Sequence, residues 1–376
     1  MMVLIVLFAG LFLAFSNGAN DNFKGVATLL GSKTTSYQKA LAWATLTTLA
    51  GSLTAFFLAQ KLMVNFSGKG LVPDEIVQLS SFSISVAIAA AATVFLATRF
   101  GFPISTTHAL TGALVGAGLV ASSGAVNFGK LLSTFLIPLI VSPVIAISLT
   151  VLIYPFLSFT RRRWGVSRES CICIGNEVLM AAPQGVDVGS AAAMVIVEAM
   201  PQISVGTTVS CEKRYVGKVW GVHAKAVVDN LHFLSGGLVG FARGLNDTPK
   251  IAAILLVGQI IQPLYAISAV ALVMALGGLI FAKRIADTMS YQITEMNDGQ
   301  GFAANLVTSA VVIGASQLGV PVSTTHVSCG SLFGIGAVTR QAHWGSILKI
   351  ILAWVTTLPF AATLGAVLFS ILHGVL

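Results

Sequence analysis

Long apolar runs constrain this chain more than any other feature. Segments 2–16, 40–60, 82–97, 131–157, 227–241, 259–282, 301–316 and 346–372 are dominated by apolar residues and carry few charges. A helix needs roughly 20 such residues to cross the hydrocarbon core of a bilayer. In lipid the backbone must satisfy its own polar groups, so runs of this kind fold as helices. Charge is scarce to match: Asp, Glu, Lys and Arg make up 9% of 376 residues, against roughly 25% in a soluble domain. With 56% apolar residues the chain lacks the polar surface of a soluble globule, and it is too hydrophobic for intrinsic disorder. The reading is an all-α polytopic protein, integral to a lipid bilayer and expected in the cell (plasma) membrane. The start Met1-Met2-Val3-Leu4-Ile5 lacks a basic stretch, so the first run reads as a transmembrane element rather than a removed signal peptide.

The net charge of +8 would point to nucleic acid in a soluble protein. Here no basic stripe with interleaved aromatics occurs, and nucleic acid is not an expected partner. The excess instead follows the habit of membrane proteins to keep Lys and Arg in cytoplasmic loops. Eight basic residues fall within 158–225, and the run Arg161-Arg162-Arg163 directly follows an apolar segment. The expected division is a first transmembrane repeat at 1–157, a central cytoplasmic segment at 158–225 and a second transmembrane repeat at 226–376. Within the central segment, 177–209 is rich in Val, Ala, Gly and Ile and reads as a small subdomain without a catalytic constellation. Cys171, Cys173, Cys211 and Cys329 lack paired metal-site spacing and read as reduced thiols.

The chain repeats itself at a period of about 220 residues, too long for a solenoid and therefore a sign of two homologous halves. Asn17-Gly18-Ala19-Asn20-Asp21-Asn22-Phe23-Lys24-Gly25-Val26-Ala27 corresponds to Arg243-Gly244-Leu245-Asn246-Asp247-Thr248-Pro249-Lys250-Ile251-Ala252-Ala253. Gly101-Phe102-Pro103-Ile104-Ser105-Thr106-Thr107-His108 corresponds to Gly319-Val320-Pro321-Val322-Ser323-Thr324-Thr325-His326, and the match continues through Gly112/Gly330 and Gly116/Gly334. The segments that follow, 101–120 and 319–338, are apolar but rich in Gly, Ser and Thr. Irregular backbone at membrane depth is tolerated only where protein or a water-filled cavity meets it, so re-entrant hairpins are expected. Paired, interrupted segments at matching places in two halves point to a midplane binding site of a secondary transporter.

The motifs have a definite chemistry. Asp21 and Asp247 lie in or beside apolar runs, where a charge costs at least ~2.5 kcal/mol and needs a partner. Asn and Asp oxygens with freed carbonyls suit a small hard cation, although Asp can also cap a half-helix. Lys24 and Lys250 stand three residues on, on the same helical face, placed for an ion pair or for a substrate contact. Ser105, Thr106 and Thr107, with Ser323, Thr324 and Thr325, bring six hydroxyls to two predicted helix N-termini, which are ready anion sites. The same hydroxyls can instead bond back to the helix. His108 and His326 are read as proton relays, substrate contacts or packing groups. For Lys225, Asp229 and Arg243 the expectation is helix-end or interhelical pairing.

These motifs together resemble the inorganic phosphate transporter (PiT) family, which includes sodium–phosphate symporters. The resemblance covers both halves and implies inverted repeats with broken helices and re-entrant hairpins, a central phosphate between the hairpins, coupling sodium ions and a homodimer. It implies no enzyme activity and no cofactor other than sodium as the coupling ion. Carried onto this sequence, it implies phosphate binding by Ser105, Thr106, Thr107, Ser323, Thr324 and Thr325. It implies sodium binding by Asn20, Asp21, Asn22, Asn246 and Asp247, with Thr248, Lys24, Lys250, His108 and His326 ranked lower. The expected function is sodium-coupled symport of inorganic phosphate by alternating access, the two halves moving against each other. Proton-coupled phosphate or metal-phosphate carriage, sulfate transport on the same fold and a passive anion channel are the alternatives. An intramembrane hydrolase is disfavoured, because an S-T-T-H order in duplicate is not a nucleophile–base geometry.

Overall fold

The computed structural model describes residues 2–167, 169–181, 195–207, 210, 215–256 and 261–374. They form two compact units, one of Met1–Pro155 with His232–Leu376 and one of Phe156–Leu231. In the first half of the chain the helices are α1 Met2–Asp21, α2 Ala27–Gly31, α3 Tyr37–Leu58, α4 Gln60–Phe66, α5 Ser80–Arg99, α6 Thr106–Ala121 and α7 Ile137–Arg163. In the second half they are α8 Ala224–Leu255, α9 Pro263–Phe281, α10 Lys283–Tyr291, α11 Asp298–Leu318, α12 Thr324–Thr339 and α13 Trp344–His373. Among the described residues, seven helices are long and apolar enough to cross a membrane. The exterior of the larger unit is apolar: Ile140, Val144 and Leu152 on α7 and Leu348, Leu352 and Val355 on α13 are exposed. Its interior holds Asp21, Lys24, Arg243, Asp247 and Lys250, all buried. Apolar outside and charged inside is the inverse of a soluble fold, and it identifies an integral, multi-pass membrane protein.

Glycines at matching places in the two halves decide which helices touch. A Cβ on Gly18 would lie 1.9 Å from Met274 O, and one on Gly277 would lie 2.0 Å from Phe15 O, so α1 and α9 cross backbone to backbone. The matching crossing joins α8 to α3, where a Cβ on Gly244 would lie 2.2 Å from Thr48 O and one on Gly51 2.0 Å from Phe241 O. The same exchange recurs further on. Gly116 of α6 packs on α13 at Ala362 O, and its counterpart Gly334 of α12 packs on α7 at Ile147 O. Small residues permit such approach where lipid gives helices no hydrophobic reason to associate. In every case a helix of one half packs on a helix of the other, so the halves interlock.

The two expected hairpins are α5–α6 and α11–α12. Both turns open on a left-handed glycine, Gly101 at φ 75° and Gly319 at φ 74°, a conformation strained for any residue with a Cβ. The all-α expectation describes this unit. The smaller unit adds a three-stranded antiparallel sheet, β1 Ser170–Ala181, β2 Val195–Thr207 and β3 Tyr215–His223, in the order β2-β1-β3. Period-two alternation buries Cys171 and Cys173 and exposes Ile172 and Ile174, which pair with Val205 and Ile203 on the same face. Cys171 and Cys329 are free, but Cys173 is disulfide-bonded, a correction to the expected reduced thiols. Cys211 lies outside the described residues.

Candidate functional site

Each hairpin turn ends in a capped helix. Ser105 has extended backbone, and its Oγ accepts a hydrogen bond from the His108 N–H at 3.1 Å; Ser323 does the same for the His326 N–H at 3.1 Å. Ser is a good N-cap because its oxygen satisfies a donor that the helix cannot. The first N–H groups of α6 and α12 remain free of intrahelical partners, at the positive ends of the two helix dipoles.

The Asn-Asp motifs arrive differently. In the first half α1 stops at Asp21, and the chain turns through Asn22–Val26 before α2. Gly25 lies in that turn, where a Cβ would come 2.8 Å from Gly240 N. In the second half α8 runs on through Asp247 to Leu255 despite Pro249. Ile251, Ala252 and Ala253 there continue the helix where the first copy has Gly25 and a turn. The break in the apolar pattern is thus a break of the helix in one copy and a buried charged stretch in the other.

Around both aspartates the contacts follow the repeat. The Lys24 ammonium pairs with Asp21 Oδ1 and donates to Asn20 Oδ1 at 2.7 Å, Ile104 O at 2.8 Å and Thr325 Oγ1 at 2.6 Å. The Lys250 ammonium pairs with Asp247 Oδ1 at 3.4 Å and donates to Val322 O at 2.7 Å and Thr107 Oγ1 at 2.8 Å. Each lysine therefore holds a carbonyl of one hairpin and a threonine of the other. Thr106 donates to Asp21 Oδ2 at 3.2 Å and Thr324 to Asp247 Oδ2 at 3.2 Å. Asn20 donates to Thr98 at 2.8 Å, and Asn246 accepts from Ser316 at 3.3 Å. Asn22 and Thr248 look away from the aspartates, donating to Thr45 at 2.9 Å and Ser52 at 2.7 Å on α3.

The structure thus brings Asn20, Asp21, Lys24, Thr106, Thr107, Asp247, Asn246, Lys250, Thr324 and Thr325 into one buried network and sets Asn22 and Thr248 at its edge. Ser105 and Ser323 stand as caps whose own hydroxyl protons remain to be donated. The His108 and His326 rings lie 4.4 Å apart, and His326 stacks on Trp354 at 3.9 Å. Trp354 in turn donates to Pro103 O at 3.0 Å, so the histidines brace the hairpin tips.

Arg243 is the residue whose weight sequence reading missed. It donates to Asn17 Oδ1 at 2.6 Å and Asn22 Oδ1 at 3.0 Å, and its Nε lies 3.9 Å from Asp247 Oδ2. Asn17, its counterpart in the repeat, donates to Asp21 Oδ2 and Thr106 Oγ1, each at 2.9 Å. The signal was present: an arginine four residues before Asp247 shares its helical face. With Lys24, Lys250 and Arg243 against Asp21 and Asp247, this network is one charge positive, and each of the five is at most 3% exposed. Buried charge without a partner is very costly. A formal surplus of one cation near two helix N-termini is chemistry suited to an anion.

Comparison with known proteins places the chain in a family. The profile of the phosphate transporter family matches residues 17–365. A "Probable low-affinity inorganic phosphate transporter" of Rhizobium meliloti is 28% identical, covering 96% of this chain and 93% of its own. One of the same name from Bacillus subtilis is 26% identical, covering 99% and 97%. A solved structure titled "The sodium-dependent phosphate transporter" covers both chains in full with a TM-score of 0.75 at 21% identity, a likeness of fold.

Proposed function

The chain belongs to the phosphate transporter family, and from that premise we propose that it carries inorganic phosphate across its membrane as a secondary active transporter. The observation that carries the reading is the buried surplus of positive charge between two helix N-termini, one from each half. The threonine hydroxyls are held by the chain's own lysines and aspartates, so phosphate binding exchanges these bonds for bonds to its oxygens. Phosphate keeps a proton near neutral pH and sulfate does not. Asp21 Oδ2 and Asp247 Oδ2, which accept hydroxyl protons from Thr106 and Thr324, can equally accept one from phosphate. This favours phosphate over sulfate.

Movement follows from the packing. The resemblance implies that the second half is inverted relative to the first. The glycine crossings between halves, α1 with α9 and α6 with α13, are contacts that alternating access of the two halves has to accommodate. Met63 and Val64 of α4 line a cavity of about 860 Å³, and the Phe66 ring of the same helix lies 5.6 Å from the Lys250 ammonium.

The test is uptake of labelled phosphate into proteoliposomes. Uptake should run against a phosphate gradient, which a passive channel does not support. Arsenate, which keeps a proton at the same pH, should displace the label, and sulfate should not. Equal displacement by sulfate would overturn the assignment of cargo. Replacing Thr107 and Thr325 together by valine should weaken apparent phosphate affinity by about tenfold or more, since the bound anion loses one hydroxyl donor from each hairpin. Unchanged affinity in that double variant would remove the hairpin threonines from the site.

Sodium coupling is the form of this reading that the resemblance implies, and the sodium-dependent solved neighbour supports it. It requires sodium to reach the oxygens of Asn20, Asp21, Asn246 and Asp247. A specific observation favours a second form: the oxygens of Asn20 and Asp21 already contact Lys24, and Asp247 contacts Lys250.

A further inference from the structure

We propose that the ammonium groups of Lys24 and Lys250 are resident cations, held where coupling ions would otherwise sit, so that this chain binds and moves phosphate without sodium. The inference rests on the phosphate-transport reading and concerns the ion requirement of the same site.

Three observations carry it. The first is the donor set. Lys24 Nζ is enclosed by a carboxylate oxygen of Asp21, the amide oxygen of Asn20, the carbonyl of Ile104 and the hydroxyl of Thr325. An ammonium has three protons to donate. Four oxygens at contact distance make a cage of the kind that hard cations occupy, built from the ligand types suited to an alkali ion. The second is duplication. Lys250 stands at the matching place among three oxygens, Asp247 Oδ1, Val322 O and Thr107 Oγ1, while Asn246 donates to Asp247 and Val322 instead. A lone ion pair is easily incidental, whereas an aspartate, a hairpin carbonyl and a threonine of the other hairpin around a lysine at matching places of two halves is a built feature.

The third observation is charge. Asp21 Oδ2 already accepts from Asn17 and Thr106, and Asp247 Oδ2 accepts from Thr324 beside Arg243. No carboxylate oxygen of the pair is left without a donor. Two sodium ions added to this network would raise its buried charge from one positive to three. The lysines also supply what a coupling cation supplies, a link between an aspartate and both hairpins. Because they are part of the chain, they cannot dissociate with the cargo, and uphill transport then draws on protons, the alternative coupling ion.

The experiment is phosphate counterflow with the purified full-length chain in proteoliposomes. Labelled phosphate exchanges for unlabelled phosphate in identical buffers containing sodium, potassium or N-methylglucamine. The expected result is counterflow within about twofold in all three. In parallel, the melting temperature in detergent is read with sodium or potassium at equal ionic strength, and with phosphate. The wild-type chain should be stabilised by phosphate and be indifferent to the choice of cation. Lys24→Ala opens one cage, so its melting temperature and any remaining counterflow should become sodium-dependent.

Wild-type counterflow that falls more than about tenfold without sodium, or a wild-type melting temperature raised by sodium over potassium, overturns the inference. A Lys24→Ala chain as indifferent to sodium as the wild type also counts against it. If that variant does not fold, the wild-type cation comparisons decide alone. Absence of phosphate counterflow in every buffer, with no stabilisation by phosphate, would instead sink the phosphate reading, and the melting response to sodium would still report on the cages.

Discussion

Replacing Arg243 by alanine is expected to abolish phosphate uptake and to destabilise the chain by about 3–5 kcal/mol, the usual consequence of removing one partner from a buried ion cluster. The guanidinium holds the two motifs together. It donates to Asn17, which orients Asp21, and to Asn22 at the turn after α1, and it lies beside Asp247 on its own helix. Without it, two buried carboxylates face two lysines, and the positive surplus that we assign to anion binding is gone. Arg243→Lys should keep the charge yet fail to span Asn17 and Asn22 together, because an ammonium is a point donor and a guanidinium is a fork. The lysine variant should therefore fold and transport poorly. The measurements are thermal unfolding in detergent and phosphate uptake. An alanine variant that melts and transports like the wild type would refute the central role given to Arg243.

The second large effect lies away from the polar network. Gly116→Val should prevent assembly of the membrane unit. A Cβ at this position would fall 1.8 Å from Ala362 O and 2.5 Å from its carbonyl carbon. Both atoms are backbone, so no side-chain rotation relieves the clash, and α6 and α13 must separate. That crossing also fixes the hairpin tip against Trp354 and so supports the site. The control is Gly314→Ala on α11, where no atom lies within 4 Å of the added methyl. Alanine in a helix is favoured over glycine by roughly 0.5–1 kcal/mol, so the control should be neutral or slightly stabilising. Size-exclusion profiles and melting temperatures of the two variants make the comparison. A monodisperse Gly116→Val protein with an unshifted melting temperature would show that the helices are not as close as described.

Much of the site was legible before any coordinates. Charge is so costly in lipid that Asp21 and Asp247 stood out among few acids. The duplicated P-x-S-T-T-H placed both hairpin turns, and both turns are found on the left-handed glycines that begin the motif. Less legible was the division of labour within each motif. Ser105 and Ser323 cap their helices, Thr106 and Thr324 face the aspartates, and Thr107 and Thr325 face the lysines of the opposite half. Adjacent positions on a helix point about 100° apart, and sequence alone does not say what each direction meets. Lys24 and Lys250 ranked low for the same reason. Their aspartates are local, but their decisive partners lie in the other half of the chain.

The sequence by itself determined the class of the protein, its duplication and most of the residues that meet at its centre, because these follow from local rules. Apolar length dictates crossing helices, the Gly-x-Pro motifs mark turns, and scarce charge must be buried together. Only the tertiary structure decided that the halves exchange helices through paired glycines, that Arg243 bridges the two motifs, and that lysine ammonium groups fill the oxygen cages. Those outcomes depend on which backbones approach within van der Waals contact across some 200 residues of chain. A glycine in the sequence records that an approach is possible, and the fold selects the partner.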